Sequence, residues 1–570
     1  MTGTRIGVAG IDRGPLAVLV VGGAPLLAAM LGRTPWWAIA LTASLSLAMV
    51  SVRVGERTPV RWCLDWSSYR IGRRARARER NAASEIHDIH TANGTCGIRF
   101  GDPTLVAMIQ LAPDLDLPTV IADRQVYTED TVAVTALLPM LEQYGIEFDI
   151  DIVTTGRRAR ASNGYSMLYD QLIGSHPIVG DRLTWLVVRL DQEANLARLT
   201  QRAPCEISGP HTLAAAAHRI ARRLREHGIS AHVLPAAAMR DAIRMLHAGV
   251  ELPDLHETWT HLDSTKPGRT VSSFAVDWNR LGEGGLDDCW SWDRGRTTLV
   301  VSLSGHARGP RGLVRFIGPD LAQAPPDYLR PLVGHQSTAL LASLPTTTTV
   351  RDLPPDPHGG TAPTELLAEL AVPIGPNGQI LGAISGQPRH TLALPLFDPT
   401  RYNPRRRSID VRAELPVAQQ IVLRAMVVGA DVVVHSARPH RWWQLVAAVG
   451  DPHSLRLAPG PGEEDDDATT AHSATIAVFD QLPPSSSDAP TTLTISEPGE
   501  PRRRSADLAI EQVDAHTVDV GIPMRTVRVD LIEPRGETRY VESTTTAAVT
   551  GETGEPSVRS TPPSAPIAAL

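Results

Sequence analysis

Lysine is almost absent from this chain: Lys266 is the only one among 55 basic residues. A standard phosphate-cradling loop needs Gly-x-x-x-x-Gly-Lys followed by Ser or Thr, and Lys266 is followed by Pro267, so nucleotide binding by that loop is excluded. Cysteine is nearly as rare. The four cysteines (Cys63, Cys96, Cys205 and Cys289) form no Cys-x-x-Cys, so neither a zinc knuckle nor a redox pair is signalled. Free thiols fit a reducing compartment. A net charge of -7 gives no argument for nucleic acid.

Charge is missing altogether from residues 15–31 and 35–52, with only Gly32, Arg33 and Thr34 between them. Each run approaches the ~20 apolar residues that a helix needs to cross ~30 Å of hydrocarbon. Lipid offers no partner for open backbone, so the natural reading is two helices in a tight hairpin. Gly22, Gly23, Ala24, Ala28 and Ala29 in the first run, and Ala40, Ala43, Ser44 and Ala48 in the second, permit close packing. Trp36 and Trp37 suit the water boundary. Arg5 and Arg13 precede the hairpin. Arg53, Arg57, Arg61, Arg70, Arg73, Arg74, Arg76, Arg78 and Arg80 follow it. The arginine excess places both ends in the cytoplasm, which predicts a multi-pass protein of the inner (plasma) membrane with most of its chain cytoplasmic.

The organisation predicted from pattern is an α/β cytoplasmic body of two mixed-sheet domains anchored by the N-terminal transmembrane hairpin. Residues 1–14 form the cytoplasmic N-terminus, 15–54 the hairpin, and 55–93 a basic juxtamembrane segment. Residues 94–320 form the first α/β domain, 321–371 a Pro- and Thr-rich linker, 372–542 the second α/β domain, and 543–570 a disordered tail. Apolar spacing predicts helices over 132–144, 166–173, 211–227 and 236–248, with strands at 104–111, 147–153, 183–190, 231–234, 270–278, 297–304 and 313–317. In the second domain it predicts strands at 390–397, 408–412, 431–435, 475–479, 491–495, 506–512 and 525–532, and helices at 416–428 and 438–449. A further helix over 328–344 interrupts the linker.

Candidate chemistry is sparse. Asp149 and Asp151 form an Asp-x-Asp of the kind some sugar-nucleotide transferases use to hold a divalent cation; the polar outer face of a half-buried strand explains them equally well. His87 and His90 stand at i, i+3 with no third metal ligand near, which reads as a solvated linker. His435, Ser436, Arg438, His440, Trp442 and Trp443 cluster in sequence, but strand, loop and aromatic packing account for them. Gly375–Gly382 reads as a hairpin turn about Asn377 and Gly378. The arginines at 219, 222, 223 and 225 read as a solvated helix face. No residue is assigned a catalytic, cofactor-binding or metal role. The juxtamembrane arginines Arg70, Arg73, Arg74, Arg76, Arg78 and Arg80 are candidates for anionic lipid headgroups.

Five stretches carry a family likeness: the exit segment 62–80, FDIDIVTTGRRA at 148–159, MLYDQLIG at 167–174, RLTWLVVRLD at 182–191, and AQQIVLRAMVVGADVVVHSARPHRWWQL at 418–445. With the hairpin and the long α/β body, the chain resembles the EccE family, a membrane component of the actinobacterial type VII (ESX) secretion system. None of these stretches is a catalytic motif. The resemblance implies a non-enzymatic subunit, with no cofactor, packed with EccB, EccC and EccD in a secretion complex whose ATPase domains belong to EccC. The alternative is a membrane-tethered enzyme, such as a sugar-nucleotide-dependent transferase using Asp149 and Asp151.

Overall fold

The computed structural model describes residues 6–8, 35–54, 59–81 and 85–541, with breaks at 124, 161–163, 202–203, 283, 293–294, 306–308, 320–323, 355–363, 460–473, 486 and 524. The first predicted span, residues 15–31, and the tail from 543 lie outside the described residues. The second apolar run forms the helix Trp36–Ser51 of 16 residues. At 1.5 Å per residue it is about 24 Å long, short of the ~30 Å hydrocarbon layer. Among the described residues no helix is long and apolar enough to cross a membrane. The short strand Ile6–Val8 pairs antiparallel with Val52–Val54, so the chain on either side of the apolar segment lies together.

Two 12-stranded sheets make the body. The first is antiparallel in every pairing. At its centre Asp149–Arg157 lies between Asp181–Asp191 and Arg296–Ser304. Side chains alternate across a strand, and here both faces are covered. Ile150, Ile152, Leu186 and Val188 point to one core with Leu213, Ala217, Ile220 and Leu224 of the helix Cys205–Glu226. Val153, Trp185 and Val187 point to another, with Met239, Ala242 and Leu246 of the helix Ala236–His247 and Leu340 of Gln336–Ala342.

The second sheet is mixed. Six strands, in spatial order Leu455–Leu457, Val432–Ser436, Ile476–Asp480, Thr491–Ser496, Arg407–Arg412 and Leu508–Asp514, run parallel. The remaining strands are antiparallel, and two of them, Thr119–Ala122 and Gln125–Tyr127, come from the first half of the chain. The helix Gly164–Ile173 also crosses over: Tyr165, Tyr169 and Ile173 pack in the second core beside the helix Leu415–Val427. The two halves are therefore interlocked.

Three local expectations change. The helix expected over 132–144 shrinks to Val134–Leu137 and a 3-10 turn, Leu138–Met140. Pro139 has no N–H to continue it, and Tyr144 and Gly145, both at positive φ, turn a hairpin instead. Asn377 and Gly378 do not form a hairpin turn. Asn377 is buried, and its side-chain oxygen accepts from the Val179 N–H at 2.8 Å while its own N–H donates to the Val179 carbonyl at 2.9 Å. The strand Gln379–Ile384 turns at Gly386 to pair with Gln387–Leu394. Within the expected linker, residues 328–353 are no spacer: Tyr328, Leu329, Leu332, Leu340, Leu344, Val350 and Leu353 are buried. Prolines and threonines there end short elements; they do not solvate the segment.

Candidate functional site

Within residues 55–93, expected as a basic juxtamembrane segment, the arginines lie on the helix Pro59–Arg80, which is bound to the edge of the first sheet. Tyr69, Arg76 and Arg80 are spaced i, i+7 and i+11, which sets them on one helix face. The Tyr69 hydroxyl donates to the Glu257 carbonyl at 3.0 Å. Arg76 Nε donates to Glu257 Oε2 at 3.1 Å, and its Nη2 donates to the Tyr69 carbonyl at 2.8 Å. Arg80 donates to Ser337 Oγ and, at 2.9 Å, to the Leu255 carbonyl. Trp259 packs between Trp62 and Tyr69, with ring centres 5.4 and 5.3 Å away. Burial lowers the Arg80 pKa, and nearby Glu257 opposes that shift.

This divides the six arginines that sequence offers to lipid headgroups. Arg76 and Arg80 are engaged by the body and are not available. Arg70, Arg73, Arg74 and Arg78 are exposed; among the described residues none has a carboxylate partner, and only Arg70 has a neighbour of note, the Trp66 ring at 5.4 Å.

Asp149 and Asp151 are not an open cation site. The face that alternation predicts to be polar and outward is roofed by residues 336–353, because the strand lies in the middle of a sheet covered on both sides. Asp151 is fully buried and paired with buried Arg189, whose other nitrogens donate to the carbonyls of Thr346 at 2.9 Å and Leu344 at 3.1 Å. Asp149 pairs with Arg351 at 3.3 Å. Among the described residues no group of three or more His, Cys, Asp or Glu is placed to hold a metal. His87 and His90 lie on the strand Ile86–Thr91, not in a linker; a three-residue offset sets them on opposite faces.

The cluster at 435–443 does come together. The strands Val432–Ser436 and Ile476–Asp480 are neighbours whose onward connections diverge, one to Leu455–Leu457 and the other to Thr491–Ser496. Open α/β sheets bind ligands outside the carboxyl ends of such a pair. Here that position is filled from within. Asp480 is fully buried; it accepts from Ser436 Oγ at 2.6 Å, from Trp442 Nε1 at 2.9 Å, and from Arg438 Nε and Nη2 at 3.1 and 3.0 Å. Arg438 Nη1 bridges on to Glu497 Oε1 at 3.0 Å. Burial alone would lower the Arg438 pKa, but its bonds to Asp480 and Glu497 raise it. His435 stacks on Phe479 at 4.9 Å, while His440 and Trp443 are exposed. A phosphate approaching this edge would meet two carboxylates already bridged by a guanidinium.

A second sealed centre escapes sequence reasoning. Arg424 and Glu537 are buried together, with Nη2 to Oε2 at 3.0 Å. Tyr165 Oη and Gln420 Nε2 also donate to that carboxylate, and Arg424 Nη1 donates to the carbonyls of Ile380 and Leu381 at 3.0 Å each. The available signal is the lone arginine inside the apolar run 418–428. On the helix Cys205–Glu226, Arg222 and Arg223 pair with Glu226, Arg219 donates to Gln143 and Arg225 to the Ala231 carbonyl. Where the two sheets adjoin, a cavity of about 650 Å³ is lined by Asp114, Asp130, His232, Asp398 and Arg405. Burial pushes the Asp130 carboxyl up to about 6.

Residues 178–276 match the family described as "Putative type VII ESX secretion system translocon, EccE". The ESX-2 secretion system protein EccE2 of Mycobacterium tuberculosis is 26% identical over 465 residues, 78% of this chain and 82% of the relative. The chain resembles EccE proteins over most of its length. EccE1 of the ESX-1 system in the same species is 28% identical over 319 residues, 55% of this chain and 65% of that relative. EccE5 of the ESX-5 system in Mycobacterium marinum is 29% identical over 261 residues, 43% of this chain and 62% of that relative. The stretch matched to the EccE family holds the strand Asp181–Asp191 beside the central one, two of the three helices that cover the first sheet, and the Leu255–Trp259 segment that grips the arginine helix.

Proposed function

We propose that this chain is a non-enzymatic structural subunit of a type VII (ESX) secretion complex in the cytoplasmic membrane, assembling with EccB, EccC and EccD. The likeness to EccE proteins of three ESX systems carries this reading. The chemistry of the carboxylates supports it: Asp149, Asp151, Asp480 and Glu537 are each neutralised by an arginine of the same chain. No residue is given a catalytic, cofactor or metal role. In this proposal the apolar segment 15–54 is a hairpin anchor with the body on the cytoplasmic side. The pairing of Ile6–Val8 with Val52–Val54 supports it, because a hairpin must bring its two ends together.

The test is purification of the tagged full chain from native membranes in a mild detergent. EccB, EccC and EccD are expected in the eluate. Recovery of the chain alone, from cells expressing all four proteins, would refute the reading. Robust ATP turnover by the chain free of EccC would refute its non-enzymatic part.

A further inference from the structure

The arginine helix has two unlike faces. One is occupied by the body through Tyr69, Arg76 and Arg80. On the opposite face Arg70, Arg74 and Arg78 recur every four residues as a stripe, with Arg73 on its flank. Like charges at that spacing repel and weaken a helix. No carboxylate among the described residues relieves this stripe, whereas buried Arg189 and Arg424 are each paired with a carboxylate of the same chain. Exposed apolar side chains lie in the same region: Ile71 is 83% exposed and Trp66 52%.

We infer that this face is a dock for an anionic lipid surface, and that the helix is a rigid spacer setting the body against the bilayer. Three observations favour lipid over an acidic protein. The charge is of one sign and unrelieved, as headgroups require. Trp66, under Arg70, supplies the amphipathic ring that suits headgroup level. The apolar helix Trp36–Ser51, with Trp36, Trp37 and Leu41 exposed, ends a few residues before and packs beside it. The inference rests on the membrane-anchor part of the proposal above, so insertion is measured separately.

The experiment places an environment-sensitive fluorophore on Ser67→Cys, at the middle of the exposed face, in the full chain carrying Cys63→Ser and Cys205→Ser. The chain is reconstituted in nanodiscs of phosphatidylcholine alone or with phosphatidylglycerol. Resistance to carbonate extraction from vesicles of the same lipids reports insertion. Emission should shift to the blue in anionic discs and return as salt shortens the screening length from ~10 Å at 0.1 M to ~3 Å at 1 M. The triple variant Arg70→Gln, Arg74→Gln, Arg78→Gln should lose the shift, and the same three positions changed to Lys should keep it. Equal emission in both discs from an inserted chain overturns the inference, as does a shift that survives the Gln variant. A label exposed in both discs but shielded once EccB, EccC and EccD are co-reconstituted assigns the stripe to a protein and likewise overturns it. A chain that fails to insert overturns the anchor and the dock together.

Discussion

The carboxyl end of the parallel strands and the outer face of the arginine helix are both rich in guanidinium, and they differ in one respect. At the first, Arg438 is held between Asp480 and Glu497 of the same chain. At the second, Arg70, Arg74 and Arg78 meet no carboxylate among the described residues. Arginine content alone therefore marks no site; what matters is whether the chain itself holds the guanidinium, through a carboxylate as at Arg438 or through hydroxyl and carbonyl oxygens as at buried Arg315 and Arg80. Where an exposed guanidinium has neither among the described residues, its field is left for something outside the chain.

The largest expected effect comes from breaking the most sealed pair. Arg424→Leu leaves the buried Glu537 carboxylate with only the donors from Tyr165 and Gln420. Stranding one buried charge costs about 3–5 kcal/mol, read as a lower urea midpoint by circular dichroism. The double change Arg424→Leu, Glu537→Leu should recover much of that loss, since no charge is then left unpaired. A single variant as stable as the parent would show that the centre is not closed.

Next is Asp480→Asn, which keeps the shape and removes the charge. Arg438 retains Glu497, so the expected loss is smaller, about 1.5–3 kcal/mol. This variant also sharpens the comparison. If the network is purely internal, calorimetry with ATP should show no binding before or after the change. Binding gained by the variant would mean that the carboxylate guards a competent crevice.

How much of this was legible in sequence depends on whether the signal is local. The strand 104–111 declares itself by an apolar run, 491–495 by β-branched residues, and the helix Ala236–His247 by its stripe ending before Gly249. The failures have long-range causes. Asp151 looks outward because alternation cannot tell which faces will be roofed, and the roof, residues 336–353, lies almost 200 positions away. Nothing at residues 119–127 announces that they will join the second sheet. The Asp480 network was half visible: Ser436, Arg438 and Trp442 stand together in sequence, but their common partner is some 40 residues further on.

A smaller effect is expected from pH. Burial raises the Asp130 carboxyl to about 6, against about 3.9 for a free aspartate. The folded state thus binds this proton more tightly than the unfolded one. Its contribution is fully present below about pH 3.9 and is lost as pH rises through 6. Asp130→Asn cannot titrate, so the stability difference between pH 5 and pH 7 should shift in favour of pH 7 relative to the parent. Parallel curves for the two proteins would show that the cavity is more open to water than its lining suggests.

The smallest effect on stability is expected at Arg74, and its smallness is the point. Arg74 and Arg80 lie on the same helix, six residues apart, and composition cannot distinguish them. Arg80→Ala removes the donors to Ser337 and to the Leu255 carbonyl, so the helix should loosen from the sheet edge with a loss of about 1–3 kcal/mol. Arg74→Ala removes an exposed cation with no partner among the described residues and relieves repulsion from Arg70 and Arg78. Its effect should stay within about 0.5 kcal/mol and can be slightly stabilising. Urea unfolding of both variants, in detergent and without anionic lipid, measures the contrast. If Arg74→Ala were as costly as Arg80→Ala, the outer face would be bound to the body after all, and the distinction between sealed and open arginines on this helix would fall.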